Sequence, residues 1–179
     1  MGANVEIKAR VADPVAVERV ARELTGGAEP VVLQQEDTFF PCASGRLKLR
    51  KLAPDRGELI HYHRADRAGP KTSRYTLVPT TTPDLLRDTL AAALGTVVVV
   101  KKTRRLWLVG PTRVHLDAVE GLGDFLELEV VLAPGQAPSE GEAIARDLMA
   151  KLGVAAADLV EGAYADLLAS ESSRRPSRG

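Results

Sequence analysis

Along most of this chain, apolar and polar residues alternate with a period of two. Val5, Ile7, Ala9 and Val11 interleave with Glu6, Lys8 and Arg10. Side chains two apart on a strand point to the same face, so the pattern predicts a strand over Val5–Val11. The same reading predicts strands at Val31–Phe40, Arg46–Leu52, Glu58–Arg64, Ser73–Val78, Val97–Val109, Arg113–Asp117 and Phe125–Leu132. Turn residues separate them: Pro41 to Gly45, Gly69-Pro70, Gly110-Pro111 and Gly121 to Gly123.

Helical spacing is confined to four stretches. Asp13-Pro14 opens the first, with Asp as N-cap and Pro at the first helical position. Val17, Val20, Ala21 and Leu24 form its apolar stripe, and Gly26-Gly27 stops it. Thr82 caps a second helix over Pro83–Leu94. Ser139, with Glu142 at the capping-box position, opens a third that runs to Leu152. Ala156–Leu168 reads as a last, shorter helix. Residues 169–179 are almost wholly polar, which predicts a disordered tail after one domain spanning residues 1–168. Many strands, few helices, no internal repeat and no βαβ rhythm predict an α+β fold with a mostly antiparallel sheet and peripheral helices.

Composition narrows the function. The chain has 179 residues, 45% hydrophobic and 27% charged, which suits one domain with a real core. Lys and Arg number 24, as do Asp and Glu, so there is no basic excess for a nucleic acid or a membrane surface. A single cysteine, Cys42, allows neither an internal disulfide nor a thiolate metal cluster. The opening MGANVEIKARV lacks a basic region followed by an apolar one, so no secretory leader is expected. The apolar run from Leu90 to Val100 falls short of the roughly 18 residues of a membrane span. A cytoplasmic protein is expected.

The charges on the strands change the picture most. Lys102 and Arg104 share one strand face; Arg113, His115 and Asp117 share another; Glu127 and Glu129 share a third. Arg46, Lys48 and Arg50 fall on one face, Arg64 lines up with Tyr62, and Glu6 with Lys8. Lys, Glu and Asp are depleted in strands. A solvent face with weak cross-strand ion pairs explains any one of these strands. It does not explain why the signs are sorted between strands. A closed sheet of about eight strands with a charged lumen does. A lumen lined by Arg and Lys repels itself until an anion binds, and guanidinium groups fork onto phosphate oxygens. Carboxylates at one end suit Mg²⁺ or Mn²⁺. Other residues read as bystanders. Trp107 packs against a helix, His61 and His63 face outward with no zinc site expected, and Cys42 sits in a turn.

These segments carry a resemblance. The chain resembles the CYTH superfamily, the class IV adenylyl cyclases and thiamine triphosphatases, also called triphosphate tunnel metalloenzymes. The likeness spans Asn4 to Leu168 and rests on NVEIKARV, EDTFF with GRLKLRK, ELIHYHR, KTSRY and RVHLDAVEGLGDFLELE, in that order. The RxHxD and ExE elements of the last segment are the most specific, and the detail is nearer the cyclase-like branch. The resemblance implies an antiparallel eight-stranded tunnel-like β-barrel holding a triphosphate and a divalent ion. It implies Glu6, Asp117, Glu127 and Glu129 as ligands of Mg²⁺ or Mn²⁺. It implies Lys8, Arg46, Lys48, Arg50, Arg64, Lys102, Arg104 and Arg113 as phosphate contacts, with Lys8, Arg113 and His115 in catalytic roles. Asn4 stands where the family's ExExK signature has its first glutamate. The activity implied first is conversion of ATP to cyclic AMP and pyrophosphate. An inorganic, nucleoside or thiamine triphosphatase and a non-catalytic polyphosphate-binding module are the alternatives. The expected partner is a small triphosphate, with no nucleic acid and no membrane; a homodimer is left open.

Overall fold

The computed structural model describes residues 2–65 and 68–174. Eight strands form a single closed barrel: β1 (Gly2–Arg10), β2 (Val31–Phe40), β3 (Arg46–Ala53), β4 (Arg56–Arg64), β5 (Lys71–Thr80), β6 (Val98–Val109), β7 (Thr112–Val119) and β8 (Gly123–Val131). Their order around the barrel is β1-β5-β4-β3-β2-β6-β7-β8, and every pairing is antiparallel. Four helices lie outside or at one end: α1 (Pro14–Leu24), α2 (Pro83–Leu94), α3 (Pro138–Lys151) and α4 (Tyr164–Arg174). The expected antiparallel eight-stranded tunnel is therefore present. No helix among the described residues is long and apolar enough to cross a membrane.

The main hydrophobic core sits outside the barrel. Val5 and Ile7 of β1, Val114 and Leu116 of β7, and Leu126, Leu128 and Val130 of β8 turn outward and are almost fully buried. They pack with Val17 and Ala21 of α1 and with Ala145 and Leu148 of α3. Burying a side chain of this size is worth about 1.5–3 kcal/mol, so this wall anchors the fold. Alternation then forces the residues between them, Glu6, Lys8, His115, Glu127 and Glu129, into the lumen. Gly141 shows how close α3 lies to the wall. A Cβ there would sit 2.7 Å from Leu132 and 2.9 Å from Val5. Trp107 joins the outer core as expected, and its Nε1 donates to the carbonyl of Ala28 at 3.2 Å.

Two helix ends differ from the sequence reading. Pro138 takes the first position of α3, so Ala137 is the N-cap and Ser139 lies inside the first turn without a capping bond. The last helix is broken. A 3-10 turn covers Ala156–Asp158, then the chain runs along β1, where Leu159 bridges Ala9 and the Val160 N–H donates to the Lys8 carbonyl at 2.9 Å. Gly162, at φ +76°, turns it away, and Asp166 accepts from the Ala163 N–H at 2.6 Å as α4 begins. That helix continues to Arg174, so residues 169–174 are helical where a tail was expected. Residues 175–179, the rest of that tail, lie outside the described residues.

Candidate functional site

Strand direction defines two ends of the lumen. At one end α4 crosses the barrel and is tied down by Arg46 to Asp166 (2.8 Å) and by Arg64 to the Gly162 carbonyl (2.8 Å). Ala163, Tyr164 and Ala165 are buried there against Phe39, Tyr62, Val100, Val119, Leu122 and Phe125, forming an apolar floor. The rings of Phe125 and Tyr164 meet edge-to-face at 5.0 Å. The other end is open. Between them lies a cavity of about 570 Å³, lined by eight Lys or Arg side chains and five carboxylates. At the open end the lining changes character. Leu33, Leu52, Leu77 and Leu106 face the cavity. Val31, Leu77 and Leu108 stay 58%, 42% and 65% exposed at the same rim.

The cations are organised around buried carboxylates. Asp37 on β2 accepts from Lys48 (2.8 Å) and from Arg50 through Nε (2.8 Å) and Nη2 (2.9 Å). Asp117 on β7, 0% exposed, receives a two-pronged bond from Arg104 (2.7 and 2.6 Å) and a hydrogen bond from the Tyr164 hydroxyl (3.1 Å). Lys102 lies between the two, 3.5 Å from Asp117 and 3.9 Å from Asp37. Glu127 pairs with Lys8 at 3.2 Å and with Arg104, and Glu6 pairs with Arg64 at 2.8 Å. The Lys8 ammonium also stands 3.7 Å over the Tyr164 ring.

These environments move the titrations. Burial pushes Asp37 up, but Arg50, Lys48 and Lys102 outweigh it and hold the carboxyl well below its usual range. Burial likewise opposes ionisation of Glu127, and Lys8 with Arg104 holds it well below the ordinary value. The lysines move the other way. Burial, and then the charge of Arg50, lower Lys48 to about 8. Burial also lowers Lys8 and Lys102. Burial is the largest cause for all three lysines, and an anion brought into the lumen would act against it.

All of the sequence-predicted inward residues line the cavity except two. Arg46 sits at the closed rim on Asp166. Asp117 does not line the cavity: it lies against Arg104, Lys102 and Tyr164, and the Arg104 guanidinium stands between it and Glu127. Glu6 and Glu129 are cross-strand partners, as are Lys8 and Glu127. Arg113 reaches the open end, 44% exposed and 3.5 Å from Glu129. His61 and His63 stay out of the lumen, as expected, and Cys42 is exposed. Two residues escaped the sequence reading. Asp37 and Tyr164 organise the cations and the floor, and Asp37 was within reach of the β2 alternation that puts Gln35 and Phe39 inside.

A divalent ion fits the donor set on one wall. Ligand atoms of His115, Glu127 and Glu129 lie within 4.8 Å of one another. Buried Nδ1 of His115 and Oδ1 of Asn4 have no hydrogen-bond partner. Orphaned buried polar atoms are rare and call for a partner.

A blind, cation-walled tunnel of this kind is the architecture of a triphosphate tunnel protein. Residues 2–164 match the model of the CYTH domain family, and the chain belongs to that family. It is 28% identical over 173 residues to the adenylate cyclase CyaB of Aeromonas hydrophila, covering 92% of this chain and 87% of that one. Among solved structures, a protein of Pyrococcus horikoshii superposes with a TM-score of 0.80 at 24% identity, over 92% of this chain and 98% of its own. A Hippeastrum protein, described as a candidate adenylyl cyclase with a dominant triphosphatase activity, superposes with a TM-score of 0.63 at 14% identity, over 97% and 98%. Family members are adenylate cyclases or triphosphatases that act on triphosphates and depend on a metal ion.

Proposed function

We propose that this protein is a divalent-metal-dependent enzyme that takes an organic triphosphate, with ATP converted to cyclic AMP and pyrophosphate as the leading reaction. The observation that carries the reading is the change of lining along the tunnel. Lys48 and Arg50 on β3, Lys102 and Arg104 on β6, and Lys8 and Arg64 on β1 and β4 line the lumen together and suit a phosphate chain lying inward. The leucine collar suits an apolar, flat head left at the mouth. Inorganic tripolyphosphate would leave the collar unused.

In the cyclising reaction the ribose 3′-oxygen bonds to the α-phosphorus, the bond to the α,β-bridging oxygen breaks, and pyrophosphate leaves with the electron pair. The deep lysines and arginines hold and neutralise that leaving group; preorganised charge of this kind is a large share of catalysis. Arg113, at the open end, suits the α-phosphate. Lys8 is held by Glu127, the Gly162 carbonyl and the Tyr164 ring, so it is positioned without being consumed by a single partner. A divalent ion on the Glu127 and Glu129 wall would supply Lewis acidity to a phosphoryl oxygen and acidify the attacking hydroxyl. Asp117 acts as the support of Arg104 and Lys102 rather than as a metal ligand. Glu6 stands beside Glu129 and is available to the same ion.

Water in place of the ribose hydroxyl makes the same site a triphosphatase, and the open mouth admits it. The deciding experiment incubates the pure protein with ATP or tripolyphosphate and Mg²⁺ or Mn²⁺, and resolves the products. Cyclic AMP with pyrophosphate supports the cyclase. Orthophosphate without cyclic AMP supports the hydrolase. Saturable binding with no product overturns both in favour of a binding module.

A further inference from the structure

The proposed reaction gives His115 no task. It lies on β7, 3% exposed, between Arg113 and Asp117 and opposite Glu127 on β8. Its Nδ1 is buried without a hydrogen-bond partner. The nearest carboxylate oxygen, Oε1 of Glu129, is 3.7 Å away, too far for a hydrogen bond. A pair so close and yet unbonded is the spacing of two donors to one ion. Metal–ligand bonds of about 2.1 Å put neighbouring donors roughly 3.0–3.4 Å apart, so small rotations of these side chains suffice. Glu127 completes the group within 4.8 Å.

The charges around the ring favour a neutral donor. Asn4, in place of a carboxylate, removes one negative charge from the same lumen. A neutral nitrogen adds a ligand without restoring that charge, and two carboxylates then balance a divalent ion. Imidazole suits the borderline transition ions, whereas all-oxygen sets suit Mg²⁺.

We infer that His115 ligates the metal together with Glu127 and Glu129, and that this nitrogen–oxygen set selects Mn²⁺ or Co²⁺ over Mg²⁺. The inference rests on the metal-dependent reading, but its test needs no turnover. Mn²⁺ is bound to the full chain without any phosphate compound, and the electron spin echo is examined for modulation by a coordinated ¹⁴N nucleus. Wild-type protein should show it, and His115→Gln should lose it. By calorimetry, His115→Gln should weaken Co²⁺ tenfold or more while changing Mg²⁺ less than threefold. Bound Mn²⁺ without ¹⁴N modulation, modulation that survives His115→Gln, equal losses for Co²⁺ and Mg²⁺, or no Mn²⁺ binding would each overturn the assignment. Should His115→Gln fail to fold, the wild-type spectrum still decides. A nitrogen signal from a protein that leaves ATP and tripolyphosphate intact would keep the ligand and reject the enzymatic reading.

Discussion

The Tyr164 hydroxyl donates to Asp117 Oδ2 at 3.1 Å, joining the first residue of α4 to a carboxylate 47 positions earlier in the barrel wall. This bond couples the tunnel floor to the ion network above it. Tyr164→Phe should cost about 1.5–3 kcal/mol, the range for a hydrogen bond to a charged group. Tyr164→Ala, which also empties the floor beneath Lys8 and Phe125, should cost about 3–5 kcal/mol. Denaturant unfolding checks both. Equal losses for Phe and Ala would mean that the ring contributes nothing beyond its hydroxyl.

Asp117→Asn should be more damaging than its size suggests. Arg104 and Lys102 are buried, and the substitution leaves them facing a neutral amide. Removing one partner of a buried ion pair costs about 3–5 kcal/mol. Tripolyphosphate should return part of this, since a ligand at 100 times its dissociation constant stabilises by about 2.7 kcal/mol. Thermal melts with and without tripolyphosphate measure the rescue. A variant as stable as wild type would show that the network does not depend on Asp117.

Lys48 gives a pH dependence with a definite sign. Its pKa is about 8 in the free protein, and a bound polyanion raises it. Binding then takes up a proton above pH 8, so polyphosphate affinity should fall from there, by up to about tenfold per pH unit. Stability without ligand runs oppositely. Between about 8 and the usual 10.5 the unfolded chain holds a proton that the folded chain does not, so this group favours folding more as pH rises through that window. Binding calorimetry from pH 7 to 10 tests the first point, and Lys48→Met should flatten the slope.

The collar should separate organic from inorganic substrates. Leu33→Asn with Leu106→Asn should raise KM for ATP about tenfold, close to the 1–3 kcal/mol that a small apolar contact contributes. Constants for tripolyphosphate should stay as they were. Equal effects on both compounds would remove the argument for an organic head at the mouth.

Glu127→Gln with Glu129→Gln should abolish metal-dependent activity while circular dichroism still reports the barrel. Undiminished turnover in that double variant would move the ion elsewhere in the lumen.

The barrel was largely legible because its alternation is so regular. In Glu6-Ile7-Lys8 each charge faces in and each aliphatic faces out, and Val31–Phe40 and Pro83–Leu94 run between the same residues in sequence and structure. Which charges pair was not legible. Lys102 meets Asp37 only because β2 neighbours β6, which brings together residues more than sixty positions apart. Asp37 was masked by Glu36 beside it and by Phe39 and Phe40, both buried, which blur the period of two. Tyr164 was hidden differently. The helical periodicity of Ala156–Leu168 runs straight through Gly162, and nothing local announces that the ring behind it closes a tunnel.

Among the described residues, the apolar floor at α4 leaves the tunnel a single door. A molecule that enters phosphate-first has its charged end deepest, and whatever stands behind that end blocks its way out. In the proposed cyclisation, pyrophosphate formed at the bottom would wait for the organic product to leave. Release would then be sequential, with pyrophosphate last, and added pyrophosphate should compete with the incoming triphosphate for the same empty channel.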